Sequence, residues 1–175
     1  MSAGLNQYQL YALRDAGDLE QIGRGLYQKA DAELADRDLL EAAHRAPNAT
    51  ICLLSALARH ELTDAIPAKH DLALPRDAWH PRIGAAVSWH SFDRDTFMIG
   101  RTTIPVDAAT TIGVYDAPRT IVDTYRLRNT LGADTAHEAL RRWISSGGQP
   151  GLLLKTATKF PRARPVILNA LEILL

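Results

Sequence analysis

The spacing of apolar residues near the N-terminus predicts a short helix. Leu10 and Leu13 fall on one face at helical spacing, with Leu5 or Tyr8 one turn earlier. Asn6 is the expected N-cap, and a glutamine three residues later, Gln9, completes a capping box. A glycine at position 17, which tolerates a positive φ, is expected to end the helix.

A glycine-rich tip follows, with apolar residues on both sides. The tripeptide Gly23-Arg24-Gly25 lies between Leu19 and Ile22 on one side and Leu26-Tyr27 on the other, which predicts a two-stranded ribbon with an arginine at its tip. A helix followed by such a ribbon is typical of the recognition helix and wing of a winged helix-turn-helix. Side chains suited to base edges and phosphates are Asn6, Gln7, Gln9 and Arg14 on the helix and Arg24 on the ribbon.

Only residues 1–3 precede this helix, so we expect a partial winged-helix module over residues 1–30. A polar connection over 29–35 separates it from a body at 36–175. Helical spacing in the body predicts helices at 36–45, 49–62, 118–127, 135–144, 152–159 and 166–175. Alternating apolar residues predict strands at 68–74, 85–92, 96–106 and 110–114.

The predicted fold class is therefore α+β: a partial winged helix-turn-helix, then a small mixed β-sheet domain with a helical C-terminus. Within the body, Asn48 is the expected N-cap of the second helix, and Asp116 caps the helix that has Pro118 in its first turn. Ile121, Val122 and Tyr125 of that helix are expected to face the sheet.

Charge does not favour a polyanionic partner for the chain as a whole. The 175 residues carry 20 basic and 20 acidic side chains, and 46% of them are hydrophobic. The balance is uneven, because residues 31–75 have a net charge of −4 and residues 76–175 a net charge of +4. No apolar run is long enough for a membrane span and no signal-peptide pattern is present, so we expect a cytoplasmic protein without a membrane partner. Cys52, the only cysteine, excludes an internal disulfide and is predicted to be buried.

No catalytic or metal-binding pattern emerges, and we expect neither enzymatic activity nor a cofactor. The six histidines lack metal-ligand spacing, and no lysine accompanies the β-region aspartates as a nuclease would need. Ser55 is expected to bond to its own preceding turn. Arg119 and Asp123, at i and i+4, predict an intrahelical ion pair or a tie to the rest of the fold.

One basic cluster near the C-terminus has two open interpretations. It is either a solvated face or a contact for a phosphate backbone or an acidic partner. Two lysines share the face of one predicted helix, and two arginines follow in a proline-bounded loop. The four residues are Lys155, Lys159, Arg162 and Arg164.

Three stretches, in order along nearly the whole chain, resemble the AbiEi family, the antitoxin and transcriptional-regulator component of type IV toxin–antitoxin systems. They are LYALRDAGDLEQIGRGLY, ICLLSALARHELTDAIP followed by HDLALP, and IGVYDAPRTIVDTYRLR. The resemblance implies a partner toxin of nucleotidyltransferase type and a promoter with inverted repeats that the N-terminal module binds and represses. It also implies DNA contacts at the helix and ribbon residues named above, and a C-terminal domain that supports repression and opposes the toxin.

Two functional hypotheses follow from the resemblance. In the first, the protein neutralises its toxin and represses its own operon, as a monomer that binds DNA cooperatively or as an oligomer. In the second, it acts only by direct binding to the toxin, and the partial winged helix serves as packing. In the family the recognition helix is preceded by further helices, so we expect a truncated module or weaker DNA binding here.

Overall fold

The structure, a computed structural model, describes residues 5–30 and 36–174. It confirms the α+β class, with two sheets and nine helices in this part of the chain. The helices are α1 (Gln7–Asp15), α2 (Arg37–Arg45), α3 (Leu53–Arg59), α4 (Arg94–Phe97), α5 (Ala117–Arg126), α6 (Arg128–Leu131), α7 (Ala133–Ser145), α8 (Pro150–Ala157) and α9 (Arg164–Leu174). The strands are β1 (Leu19–Gly23), β2 (Leu26–Lys29), β3 (Thr50–Ile51), β4 (His70–Pro75), β5 (Val87–Phe92), β6 (Arg101–Pro105) and β7 (Thr111–Tyr115).

The N-terminal helix and ribbon form as their local sequence predicts. The Asn6 side chain accepts a hydrogen bond from the Gln9 N–H at 2.9 Å, and the Gln9 side chain accepts one from the Asn6 N–H at 3.0 Å. Gly17 follows α1 with a φ of +82°. Strands β1 and β2 pair antiparallel around Arg24 and Gly25. The described residues thus contain a helix and a ribbon, which by themselves do not define a winged helix-turn-helix.

A five-stranded mixed sheet, ordered β5-β4-β3-β7-β6, forms the centre of the body. Its central strand contradicts the helix predicted over 49–62 with Asn48 as its cap. Thr50 and Ile51 pair antiparallel with β4 and parallel with β7, and α3 begins only at Leu53, whose φ is +46°. Because strands pair on both sides, the backbone N–H and C=O groups of these two buried residues are hydrogen-bonded. These contacts with distant strands outweigh the local preference for a helix.

The strand predicted over 96–106 is also shorter than expected. Asp93 caps the short helix α4, its side chain accepting the Asp95 N–H at 3.0 Å, and β6 starts only at Arg101. Gly100 occupies the turn with a φ of +69°, where an added Cβ would lie 2.6 Å from the Cβ of Arg119. The helix capped by Asp116 matches its prediction, because the Asp116 carboxylate accepts the Arg119 N–H at 2.8 Å.

Three apolar clusters hold the body together. Leu72 and Leu74 on one face of the sheet pack with α2, while Ala73 and Tyr115 lie on the other face with Cys52. The third cluster joins α3, α5, α7, α8 and α9. Ile121, Val122 and Tyr125 belong to this helical cluster, so the expectation that they face the sheet was wrong. Helical spacing correctly marked the buried face of α5 without indicating which elements cover it.

Among the described residues no helix has the length and apolar character required to cross a membrane.

Candidate nucleic-acid interface

Helix α1 presents every predicted contact residue to solvent. Asn6, Gln7, Gln9 and Arg14 are all exposed, and no residue of α1 is buried. The capping box uses the Asn6 Oδ1 and Gln9 Oε1 atoms for the helix itself. The amide N–H₂ groups of both side chains, which can donate to a base or a phosphate, are outside this pairing.

Two of these side chains also make local contacts. Gln7 Nε2 donates to the Tyr11 hydroxyl at 2.9 Å. Arg14 pairs with Asp15 at 2.7 Å, and its guanidinium lies 4.8 Å from the centroid of the Tyr11 ring. The hydrogen bond to Asp15 and the charge of Asp15 raise the pKa of Arg14. Because this ion pair is exposed to water, it fixes the Arg14 side chain only weakly. An incoming phosphate can therefore replace Asp15 as the partner of Arg14.

The ribbon is half-exposed and attached to α2. Arg37 pairs with Glu20 of β1 at 2.5 Å, and Arg45 donates a hydrogen bond to the backbone carbonyl of Arg24. Gly23 approaches the Glu41 side chain so closely that an added Cβ would lie 2.6 Å from its Oε1 atom. These contacts hold the backbone of the tip, while the Arg24 side chain stays exposed.

A groove separates the ribbon from the body, and we refer to it as the ribbon groove. The groove is open to solvent and has a volume of about 1040 Å³, and its walls are residues 21–25 of the ribbon, residues of α2 and the segment 79–85. Each of these three walls contributes arginine side chains to the groove. They are Arg24 from the ribbon, Arg37 and Arg45 from α2, and Arg82 from the segment 79–85. The sequence did not mark Arg45 and Arg82 because the residues that meet here are separated by tens of positions along the chain.

The C-terminal basic cluster is exposed but is not organised as predicted. Lys155 lies in α8, whereas Lys159 lies beyond the end of that helix, so the two do not share one continuous helical face. Arg162 lies in the connection, and Arg164 is the first residue of α9 rather than a loop residue. Within the described part of the chain, none of the four pairs with a carboxylate.

The side chains considered for chemistry are engaged structurally. Across residues 5–30 and 36–174, no three His, Cys, Asp or Glu side chains are grouped as a metal site would require. Cys52 is fully buried, and burial raises the pKa of its thiol. The Ser55 hydroxyl accepts a hydrogen bond from the Asp71 N–H of β4 at 2.8 Å, and among the described residues it shows no bond to its own preceding turn, contrary to the expectation.

The Arg119–Asp123 pair connects α5 to α4 and to the turn that follows α4. Arg119 is fully buried and donates from Nε to Asp123 at 2.8 Å. Its Nη1 donates to the carbonyls of Thr96 and Ile99 at 2.5 and 2.7 Å. A second cation, Arg126, shares Asp123 at 3.1 Å. The i, i+4 spacing identified this pair, and Arg126 lies three residues after Asp123 on the same helix. Only the tertiary structure brought the carbonyls of Thr96 and Ile99 to Arg119.

The fold and this interface define an α+β protein that carries an exposed helix and an arginine-tipped ribbon on a five-stranded body. Comparison of the chain with protein-family models and with curated proteins finds no match.

Proposed function

We propose that the protein is an antitoxin that represses its own operon, with α1 and the ribbon binding promoter DNA. The observation that carries the proposal is the exposure of all five predicted contact residues on a capped helix and a ribbon attached to the body. An isolated helix of 9 residues is marginal in water, so its capping box and its packing on β1 matter for presenting it.

In this arrangement α1 enters the major groove by its N-terminal end. Asn and Gln side chains pair well with adenine, so Asn6, Gln7 and Gln9 supply base contacts. Arg14 and Arg24 contact phosphates on either side and set the position of the protein on the duplex. Because the whole chain has no net charge, affinity depends on these local cations rather than on a global field.

The body takes the antitoxin role by resemblance to the AbiEi family. In this proposal the protein acts in the cytoplasm, where its promoter and a nucleotidyltransferase-like toxin are both found. Neither catalysis nor a cofactor is part of the mechanism, since the protein works by occupying DNA and opposing the toxin.

A salt-titrated gel shift on the protein's own promoter tests DNA binding. Specific binding should exceed binding to a random duplex and fall steeply between about 50 and 200 mM salt. Arg24→Ala should weaken binding to every sequence and reduce the slope of log K against log salt by about 1, since it removes one phosphate contact. Arg141→Ala, which changes an exposed arginine on α7, is the matched control and should bind as the wild type does. Equal affinity for promoter and random DNA would refute the proposal.

A second candidate function is direct binding of the toxin without DNA binding. The observation that favours it is the set of four exposed cations at 155–164, which pair with no carboxylate among the described residues. Such a surface fits an acidic face on a partner protein. Purified protein mixed with the product of the neighbouring gene should form a complex at micromolar concentration. Lys155→Glu/Lys159→Glu should abolish that complex, and a complex of unchanged affinity would exclude this surface.

A further inference from the structure

We propose that the ribbon groove binds a nucleotide, with its phosphates on Arg45 and Arg82 and its base against Trp79. This binding site is separate from the DNA interface, although Arg24 stands at the border of both. Three features of the groove support this binding site. They are arginine N–H groups without protein partners among the described residues, the exposed ring of Trp79, and a volume large enough for a nucleotide.

The carboxylates of the groove are engaged by the protein, whereas several guanidinium N–H groups are not. Asp38 accepts the Ala86 N–H at 3.1 Å, and the buried Glu41 accepts the Ala85 N–H at 3.1 Å. Arg45 makes one side-chain hydrogen bond, to the Arg24 carbonyl, and Arg82 has no side-chain hydrogen bond or ion pair within residues 5–30 and 36–174. The planar fork of N–H donors on an arginine matches the oxygens of a phosphate group.

Trp79 stands in solvent on an anchored segment. Its side chain is 75% exposed, although burying an aromatic ring of this size is strongly favourable. The segment that carries it is held to β5, because Trp89 Nε1 donates to the Pro81 carbonyl at 3.2 Å and Ser91 bonds His80 at 3.1 Å. An exposed indole and guanidinium groups that line one groove form the combination that proteins use to stack a base while binding its phosphates.

The groove is large enough for a ligand of this class. Small-molecule sites usually have volumes of about 300–1000 Å³, and the ribbon groove, which is open to solvent on one side, has a volume of about 1040 Å³. The groove lies between two parts of the protein, with the ribbon as one wall and the segment 79–85 as the other. A bound nucleotide would add contacts between the ribbon and the body.

Titration of the full chain with ATP, followed by tryptophan fluorescence, tests the proposal. ATP should quench the emission of Trp79 saturably, and Trp79→Phe should remove that response. Arg45→Gln and Arg82→Gln should each weaken ATP binding about tenfold, the size expected for one lost charge-assisted contact. Arg141→Gln should bind ATP as the wild type does, and circular dichroism should confirm that every variant is folded.

Parallel titrations identify the part of the ligand that is recognised. Adenosine should bind at least tenfold more weakly than ATP, and tripolyphosphate should compete with ATP without quenching Trp79. Equal affinity for adenosine and ATP, or arginine variants with unchanged affinity, would overturn the proposal. It would also be overturned if only duplex DNA, and no free nucleotide, responded to Arg45→Gln and Arg82→Gln. The titrations with ATP, adenosine and tripolyphosphate contain no DNA, so the DNA-binding proposal can fail or hold independently of their results.

Discussion

Replacing the buried Arg119 with methionine should destabilise the protein more than any surface change. The guanidinium makes three short hydrogen bonds, to Asp123 and to the carbonyls of Thr96 and Ile99. It also lies 4.3 and 4.5 Å from the ring centroids of Tyr115 and Phe160. Methionine keeps much of the apolar stem but leaves the carboxylate and both carbonyls without this donor.

The expected cost of Arg119→Met is about 3–5 kcal/mol, the usual range when one partner of a buried ion pair is removed. We place it towards the lower end, because Asp123 keeps Arg126 at 3.1 Å and so is not left uncompensated. A domain of this size is stable by about 5–15 kcal/mol, so the variant should still fold. At about 2–4 °C per kcal/mol, its Tm should fall by about 6–20 °C.

Urea unfolding followed by circular dichroism measures this change, with the m-value showing whether unfolding stays two-state. Arg141→Met serves as the surface control and should change stability by less than about 0.5 kcal/mol. The double variant Arg119→Met/Asp123→Leu should recover part of the loss, since an apolar pair replaces a buried carboxylate whose remaining partner is the partly exposed Arg126. The reasoning is refuted if Arg119→Met loses less than about 1 kcal/mol or if the double variant is less stable than the single one.

Three further predictions concern individual side chains. The Tyr125 hydroxyl is buried without a partner in the described part of the chain, and burial raises its pKa to about 12. Tyr125→Phe should therefore leave the urea midpoint unchanged or raise it. Tyr115→Phe should lower stability by about 1–2 kcal/mol, because it removes the bond to the Phe97 carbonyl; equal losses in both variants would contradict this. Burial raises the pKa of Asp107, but bonds from Ala109 N–H and from the N–H and side chain of Thr110 outweigh it and leave that pKa below its ordinary value. The ionised form thus stabilises the fold above about pH 4. As the pH falls through the lowered pKa, wild-type stability relative to Asp107→Asn should decline, and a difference independent of pH would refute this.

Elements defined by neighbouring residues could be predicted from the sequence. The capping box of α1, the glycine after it, the ribbon and the Asp116 cap of α5 all depend on groups within a few residues of one another. Helix and strand spacing likewise gave the α+β class, and the position of Cys52 in an apolar run gave its burial. Local hydrogen bonding and side-chain periodicity suffice for these features.

Contacts between distant segments decided the rest. Thr50 and Ile51 have helical spacing to their neighbours, yet they become the central strand because β4 and β7 satisfy their backbone on both sides. The ribbon groove also depends on contacts between distant segments. Its arginines and Trp79 come from separate elements and meet only when the ribbon lies on α2. The sequence alone therefore determined the capped helix, the arginine-tipped ribbon and the fold class. The tertiary structure decided the strand order, the surroundings of Arg119 and the groove, because their energies arise from groups that the chain brings together only on folding.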